Sequence, residues 1–235
     1  MIEAEWWDYD DMDELGDAVA GDVAFIIESA IDARGSAVIA LAGGRTPKQI
    51  LEKLALAKLD WKRVVIFPTD ERLVALDDPL SNVAMLARIF LPKGARVIPL
   101  VSEKAADYRA AGNAASARLA DFHWPPDLVW LGVGEDGHTA SIFAGPDLED
   151  ALNAPSERRM VGVMPDPLPA EAPVARVTLT RPSIHAAKSL VMVLAGDRKK
   201  ALLEQALRDG DSSPLPVGRV LAGLETPIDI HWCAQ

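Results

Sequence analysis

Leu128-Val129-Trp130-Leu131-Gly132-Val133-Gly134-Glu135-Asp136-Gly137-His138, continuing through Thr139-Ala140-Ser141-Ile142-Phe143-Ala144-Gly145, is the stretch whose reading decides the fold. Its first four residues are apolar without alternation, which is how a strand buried on both faces inside a parallel sheet reads. Gly132 and Gly134 at the end of that run allow a tight turn or a close approach to a ligand. His138 is thereby placed just beyond the carboxyl end of a central strand, where ligands bind in open α/β sheets. A Glu-Asp-Gly-His cluster is also ordinary turn chemistry. The neighbouring units have to decide between the two readings.

Toward the N-terminus the same construction recurs twice. Residues 37–42 form a short apolar run followed at once by Gly43-Gly44-Arg45-Thr46-Pro47 and an amphipathic segment through Ile50, Leu51 and Leu54. A strand, a glycine turn, a hydroxyl residue and a Pro at the first helical position would present free N–H groups and a helix dipole to an anion. A plain connection is the alternative, since neither a Walker loop nor a dinucleotide fingerprint is present. Residues 64–67 form the next strand, with Pro68-Thr69-Asp70-Glu71-Arg72 at its carboxyl end. These charges either face solvent, or Arg72 holds a phosphate or carboxylate with its planar fork while Asp70 or Glu71 orients it. Ser81-Asn82 caps a helix ending before Pro92, residues 97–100 read as a further strand, and residues 103–122 as an alanine-rich helix.

Toward the C-terminus, Pro165, Pro167, Pro169 and Pro173 punctuate a surface loop. Residues 176–180 read as a strand that Arg181-Pro182 ends, and residues 190–194 as another buried strand. Gly196-Asp197-Arg198-Lys199 closes that strand and opens a helix. At the other end of the chain, residues 4–7 suit an edge strand, and Asp10 or Asp11 caps a helix that stops at Gly35. Four strand-to-helix junctions therefore carry glycine, cations or the histidine. In a doubly wound sheet they share one edge, which outlines a sugar-phosphate pocket. The expectation is a three-layer α/β fold, with a Rossmann-like, mostly parallel sheet and helices on both faces, formed by residues 1–235 as a single domain.

Composition narrows the partners. The net charge of −11 repels nucleic acid and anionic membrane, and no basic run exceeds Arg198-Lys199-Lys200. The lone Cys233 can form no internal disulfide, which suits a reducing compartment. The N-terminus shows no basic-then-apolar leader and no apolar run approaches the roughly 20 residues of a bilayer span. The expectation is a cytoplasmic protein.

Ala42-Gly43-Gly44-Arg45-Thr46-Pro47, Asp70-Glu71-Arg72 with Ser81-Asn82 ten residues on, the Leu131 to Phe143 block, Arg176-Val177-Thr178-Leu179-Thr180 and Gly196-Asp197-Arg198-Lys199, in this order, resemble the 6-phosphogluconolactonase family. The glycine loop is shared with a wider superfamily that includes glucosamine-6-phosphate deaminase and ribose-5-phosphate isomerase. The deaminases typically have Asp-Glu-Tyr where Asp70-Glu71-Arg72 stands and Ile-Ala-Phe-Asn-Glu-Pro where residues 139–143 read Thr-Ala-Ser-Ile-Phe. Both places side with the lactonase. The chain departs from the family at Arg45, commonly Ser, at Ala144, commonly Pro, near His185, where Asn is usual, and in its C-terminal segment.

The resemblance implies hydrolysis of a phosphorylated sugar δ-lactone. That reaction needs a water deprotonated near neutral pH, and a histidine, titrating near about 6.5, is suited to the task. His138 is the expected general base and Asp136 its orienting or charge-stabilising partner. Arg72, with a backbone N–H from the Gly134 turn, would stabilise the oxyanion. Gly43, Gly44, Arg45 and Thr46 would hold the phosphate, with Asp70, Arg176 and Lys199 completing the substrate site. No metal is required, since His123, His138, His185 and His231 lack ligand spacing, no cofactor is expected, and the Ser-His-Asp alternative finds no Gly-x-Ser-x-Gly elbow. The partner is a small-molecule substrate, with no nucleic acid and no membrane, and the chain is expected to be a monomer or weak homodimer. A deaminase-like isomerase and a non-catalytic sugar-phosphate sensor are the alternatives.

Overall fold

The computed structural model describes residues 2–101 and 107–234. It begins with β1 (Ala4–Tyr9) and α1 (Met12–Arg34), where Asp11 accepts the first N–H groups of the helix from Asp13 and Glu14, as the capping pattern predicts. β2 (Ala37–Leu41) leads into α2 (Arg45–Leu54), and β3 (Val64–Pro68) into β4 (Asp70–Arg72) and α3 (Asn82–Phe90), whose cap is Ser81. β5 (Arg96–Val97), α4 (Tyr108–Leu119), β6 (Leu128–Leu131), α5 (Leu148–Leu152), β7 (Met160–Val163), β8 (Arg176–Leu179) and α6 (Arg181–His185) follow. β9 (Leu190–Ala195), α7 (Asp197–Asp209), α8 (Pro216–Leu221) and β10 (Ile228–Cys233) complete the order. Among the described residues no helix is long and apolar enough to cross a membrane.

Seven strands form a sheet in the order β1-β10-β9-β6-β2-β3-β5, with every neighbouring pair parallel. The strand from the opening stretch, β6, is the middle one. All four of its residues are buried because the sheet is covered on both sides. Ile39, Ile66, Leu128 and Trp130 pack with Leu15 and Ile27 of α1, Leu51 of α2 and Phe90 of α3. Their neighbours along the strands, Val38, Ala40, Val129 and Leu131, pack with Ala115 and Leu119 of α4, Leu203 of α7 and Val220 of α8. This period-two division of each strand between two helical layers is the expected three-layer α/β architecture. From β2 the chain winds outward through β3 and β5, then returns on the other side of β2 with β6 and β9. The winding reverses between β2 and β6, and such a reversal opens a crevice at the carboxyl ends of the two strands.

The structure adds a second sheet that the sequence reading does not contain. β4, β8 and β7 form an antiparallel three-stranded sheet beside the carboxyl ends of the large one. β4 has three residues and β7 includes a glycine, so neither carries a legible period. Other boundaries shift for local reasons. α2 starts at Arg45 rather than at Pro47, because Gly44 turns the chain with φ 116°. β5 stops at Val97, since Ile98 makes one more bond to the Ile66 carbonyl and Pro99 has no N–H to continue. Arg181-Pro182 not only ends β8 but begins α6, capped by Thr180. The helix expected over residues 103–122 is seen as Tyr108–Leu119 with Asp107 as its cap, and residues 103–106 lie outside the described residues. Of the proline-rich loop, Asp166, Pro167, Leu168 and Pro173 are exposed and Pro165 is buried.

Helix α4 lies on β7 at backbone contact. A Cβ built on Gly162 would sit 1.7 Å from the Tyr108 carbonyl oxygen, and one on Gly112 would sit 2.0 Å from the Gly162 nitrogen. Backbone cannot step aside as a side-chain tip can, so Gly162→Ala must push the helix off the small sheet. We expect a loss of about 1–3 kcal/mol, read from the urea midpoint. An unchanged midpoint would show that the helix yields freely.

Candidate active site

The four junctions converge on one cleft of about 360 Å³ at the switch point. Gly43, Gly44, Arg45 and Thr46 after β2, Asp70 and Arg72 on β4, His138 after β6, Arg176 on β8 and Lys199 on α7 all line it. Asp136 lies behind His138, its Oδ1 2.5 Å from the imidazole Nδ1. All ten residues expected of the site are thus brought together, nine on the wall and one supporting it.

The histidine loop is built from backbone bonds. The Gly134 N–H donates to the His138 carbonyl and the Gly137 N–H to the Gly134 carbonyl. Thr139 Oγ1 donates to the Gly132 carbonyl at 2.8 Å, tying the loop back to its strand. The Gly134 N–H itself is therefore engaged within the loop. Asp136 also accepts from the His138 backbone N–H. The hydrogen bond from the imidazole holds the Asp136 carboxyl below the usual carboxylate range, against the opposing effect of burial. Its charged state persists through neutral and mildly acidic pH and is lost only as pH falls through that lowered value.

The cationic wall follows from the period of the small sheet. Asp70 and Arg72 share one face of β4, and Glu71 takes the other. In the antiparallel register Arg72 is paired directly with Arg176, and Asp70 with Thr178. Two like charges opposite each other on one face repel, an arrangement that an anion between them relieves. The Nε of each guanidinium is buried without a partner among the described residues. Burial pulls the Arg176 guanidinium below its ordinary value. Ser141 Oγ donates to Asp70 Oδ2 at 2.6 Å, and Arg176 Nη2 donates to the Ala172 carbonyl at 3.2 Å, so this wall is fixed from behind.

Three residues take supporting roles that the sequence reading did not assign them. Glu71, 1% exposed, accepts the backbone N–H groups of Arg72, Asn82 and Val83 and the Ser81 hydroxyl. It clamps β4 to the start of α3 instead of orienting a ligand. Burial raises its carboxyl above the ordinary range, more than those N–H donors lower it. Asn82 lines the cleft, donates from Nδ2 to the Asp70 carbonyl at 2.7 Å and accepts from Arg72 Nη1 through Oδ1. A Cβ on Gly43 would sit 1.9 Å from that same Oδ1, so this glycine is required by the close approach of α3. Ser141 is the third. The only sequence signal for Asn82 and Ser141 was their place in the resembling motifs, since a helix cap and a small loop residue carry no chemistry by themselves.

Phosphate-type chemistry fits the opposite wall. The first turn of α2 opens on the cleft with Gly44 at its cap and no side-chain cap bond, and Lys199 sits in the first turn of α7. Arg45, where the family commonly has Ser, adds an exposed guanidinium at the cleft mouth.

The remaining histidines stand apart from the cleft. His123 is exposed. His185 donates from Nε2 to the Val220 carbonyl at 2.7 Å, a structural bond away from the cleft. His231, 1% exposed, stacks on Tyr9 and bonds its hydroxyl at 2.9 Å through Nδ1, while Nε2 lies 3.7 Å from Asp22. Burial lowers both His185 and His231 below their ordinary value. The unfolded chain then binds protons that the folded one resists, so their contribution to stability is complete above about pH 6.5 and declines as pH falls. We expect urea stability to drop between pH 7.5 and 5.5 by up to about 1.4 kcal/mol per pH unit for each histidine, with a shallower decline in His231→Gln. A stability that rises on acidification would contradict this assignment.

Comparison with known proteins places the chain in a family. Residues 10–231 match the family model described as glucosamine-6-phosphate isomerases/6-phosphogluconolactonase. A 6-phosphogluconolactonase of Rhizobium meliloti is 37% identical, the match covering 93% of this chain and 94% of the relative. A 6-phosphogluconolactonase of Pseudomonas putida is 36% identical, with 95% and 90% covered. The crystal structure of a 6-phosphogluconolactonase from Shewanella baltica superposes with a TM-score of 0.89 at 31% identity, covering 99% of this chain and 98% of that one. With the family model matched over residues 10–231 and the fold in agreement, the chain belongs to the glucosamine-6-phosphate isomerase/6-phosphogluconolactonase family.

Proposed function

We infer that this protein hydrolyses 6-phospho-D-glucono-1,5-lactone to 6-phospho-D-gluconate, the second step of the oxidative pentose phosphate pathway. The observation that carries the reading is a histidine with its Nδ1 on a carboxylate, facing a cleft whose other walls are cationic. Asp136 engages Nδ1 and leaves Nε2 for the water, whose oxygen attacks the lactone carbonyl carbon as its proton passes to the imidazole. Arg72 stabilises the oxyanion, and collapse breaks the bond to the ring oxygen, which takes the proton back from His138. Arg176, anchored to the Ala172 carbonyl and in reach of Ser141 Oγ, contributes positive charge on the same wall. The phosphate sits on the first turn of α2, with Arg45, Thr46 and Lys199 around it, and this distant hold turns the carbonyl toward His138. The lone buried Cys233 suits a reducing compartment such as the cytoplasm.

A coupled assay tests the reading. The lactone is generated from glucose 6-phosphate, and 6-phosphogluconate formation is followed with and without the protein and corrected for spontaneous hydrolysis. Acceleration is expected. A folded protein that gives none, but releases ammonia from glucosamine 6-phosphate, would transfer the site to the isomerase branch of the family; binding of sugar phosphates without turnover would make it a sensor.

A further inference from the structure

We propose that Phe143 is a positioning residue for His138, holding the plane of the imidazole so that Nε2 faces the cleft. The proposal rests on the reading of His138 as the base. The imidazole and the Phe143 ring stack with centroids 4.2 Å apart and planes inclined by 26°. Phe143 does not line the cleft, so its effect on the reaction passes through the histidine.

The chain goes to some trouble to create this contact. Thr139 and Ile142 form a bridge, with the Ile142 N–H on the Thr139 carbonyl, so the backbone doubles back within four residues. Ala140, at the bend, has φ 48°, a left-handed conformation that a residue with a Cβ adopts at a cost. Strain of this kind persists where the surroundings over-determine it, and it concentrates at functional sites. The next residue is pinned twice, since the Ser141 N–H donates to Thr178 Oγ1 and its hydroxyl to Asp70. This bend returns Phe143, five residues beyond His138, to the face of the histidine ring.

The need for such a contact is physical. The terminal torsion of a histidine is broad, so one hydrogen bond at Nδ1 fixes one edge of the ring but leaves its plane free to rock. A stacked aromatic removes that freedom. Phe143 is itself held, because the Arg176 guanidinium carbon lies 4.8 Å from its ring centroid, and Arg176 is 4% exposed and anchored to the Ala172 carbonyl. The base is thereby tied through Phe143 to the same arginine that lines the cationic wall. Proton transfer requires the acceptor nitrogen to be aligned at the near-attack distance, and small misplacements are expensive in rate.

The test compares Phe143→Leu with Phe143→Tyr by steady-state kinetics on the lactone and by long-range 1H–15N spectra of the histidine rings. The Leu variant keeps apolar bulk without a stacking face. Its kcat is expected to fall by about 10- to 100-fold with KM within about twofold of wild type, and the Tyr variant is expected to recover most of the rate. The spectra are expected to show the His138 ring as one tautomer in the wild type and as a mixture in Phe143→Leu. If the Leu variant does not fold, Phe143→Met is read by the same measures. A kcat within twofold of wild type, a loss that lies in KM, an unrestored rate in Phe143→Tyr, or an unchanged single tautomer each overturns the proposal. Failure of the base reading is a separate outcome, seen as a folded His138→Ala variant that keeps the full rate.

Discussion

His138→Ala lowers kcat for lactone hydrolysis by about 10²- to 10⁴-fold while the protein stays folded, the range expected when a positioned general base is removed. The side chain is partly exposed and packs on Phe143 at the cleft wall, outside the two buried clusters, so its removal should leave the fold intact. The variant should still bind 6-phosphogluconate, because the α2 turn, Lys199 and the two arginines are untouched. The measurement is the coupled assay corrected for spontaneous hydrolysis, together with a circular dichroism spectrum. A folded variant with wild-type rate would remove His138 from the mechanism and leave the cationic wall to act on an unactivated water.

Arg72→Lys should lower kcat by about 10²- to 10³-fold, comparable to losing one oxyanion donor. Charge is retained, so the loss measures geometry. Arg72 places one Nη on both the Leu80 carbonyl and Asn82, which leaves the rest of its planar fork for the ligand. An ammonium on a flexible stem reproduces neither the two anchoring bonds nor the fork. Because Arg72 and Arg176 oppose each other in the ladder, weakening one also alters the repulsion that an anion relieves. A drop below about threefold would assign the oxyanion to another donor.

Much of this site is legible in the sequence because a parallel sheet encodes it simply. A continuous apolar run followed by glycine means a buried strand reaching its carboxyl end, and β2, β6 and β9 all show it. His138, Gly43 and Lys199 could therefore be placed on one edge before any coordinates. The register that pairs Arg72 with Arg176 was out of reach, because β4 is three residues long and its partner lies more than a hundred residues away. Glu71 shows the same limit. In the sequence it is one of three adjacent charges, and only the pleat separates it from Asp70 and Arg72 and sends it to the N–H groups of α3. β10 gave no signal either, with Asp229 and His231 interrupting its apolar run, and it is held in the sheet by the ladder bonds of β1 and β9.

By itself the sequence determined the α/β class, the capped helices, the glycine-marked strand ends and the histidine block, all of which depend on residues near one another along the chain. Tertiary structure alone decided the small antiparallel sheet, the opposed arginines, the clamp of Glu71 and Asn82 behind them, and the stack of Phe143 on His138. Local propensity and periodicity act over a few bonds and survive in the sequence as pattern. Cross-strand register, charge opposition and ring stacking arise only when distant segments are brought within a few ångströms, where pleat, burial and the bend at Ala140 choose which side chains meet.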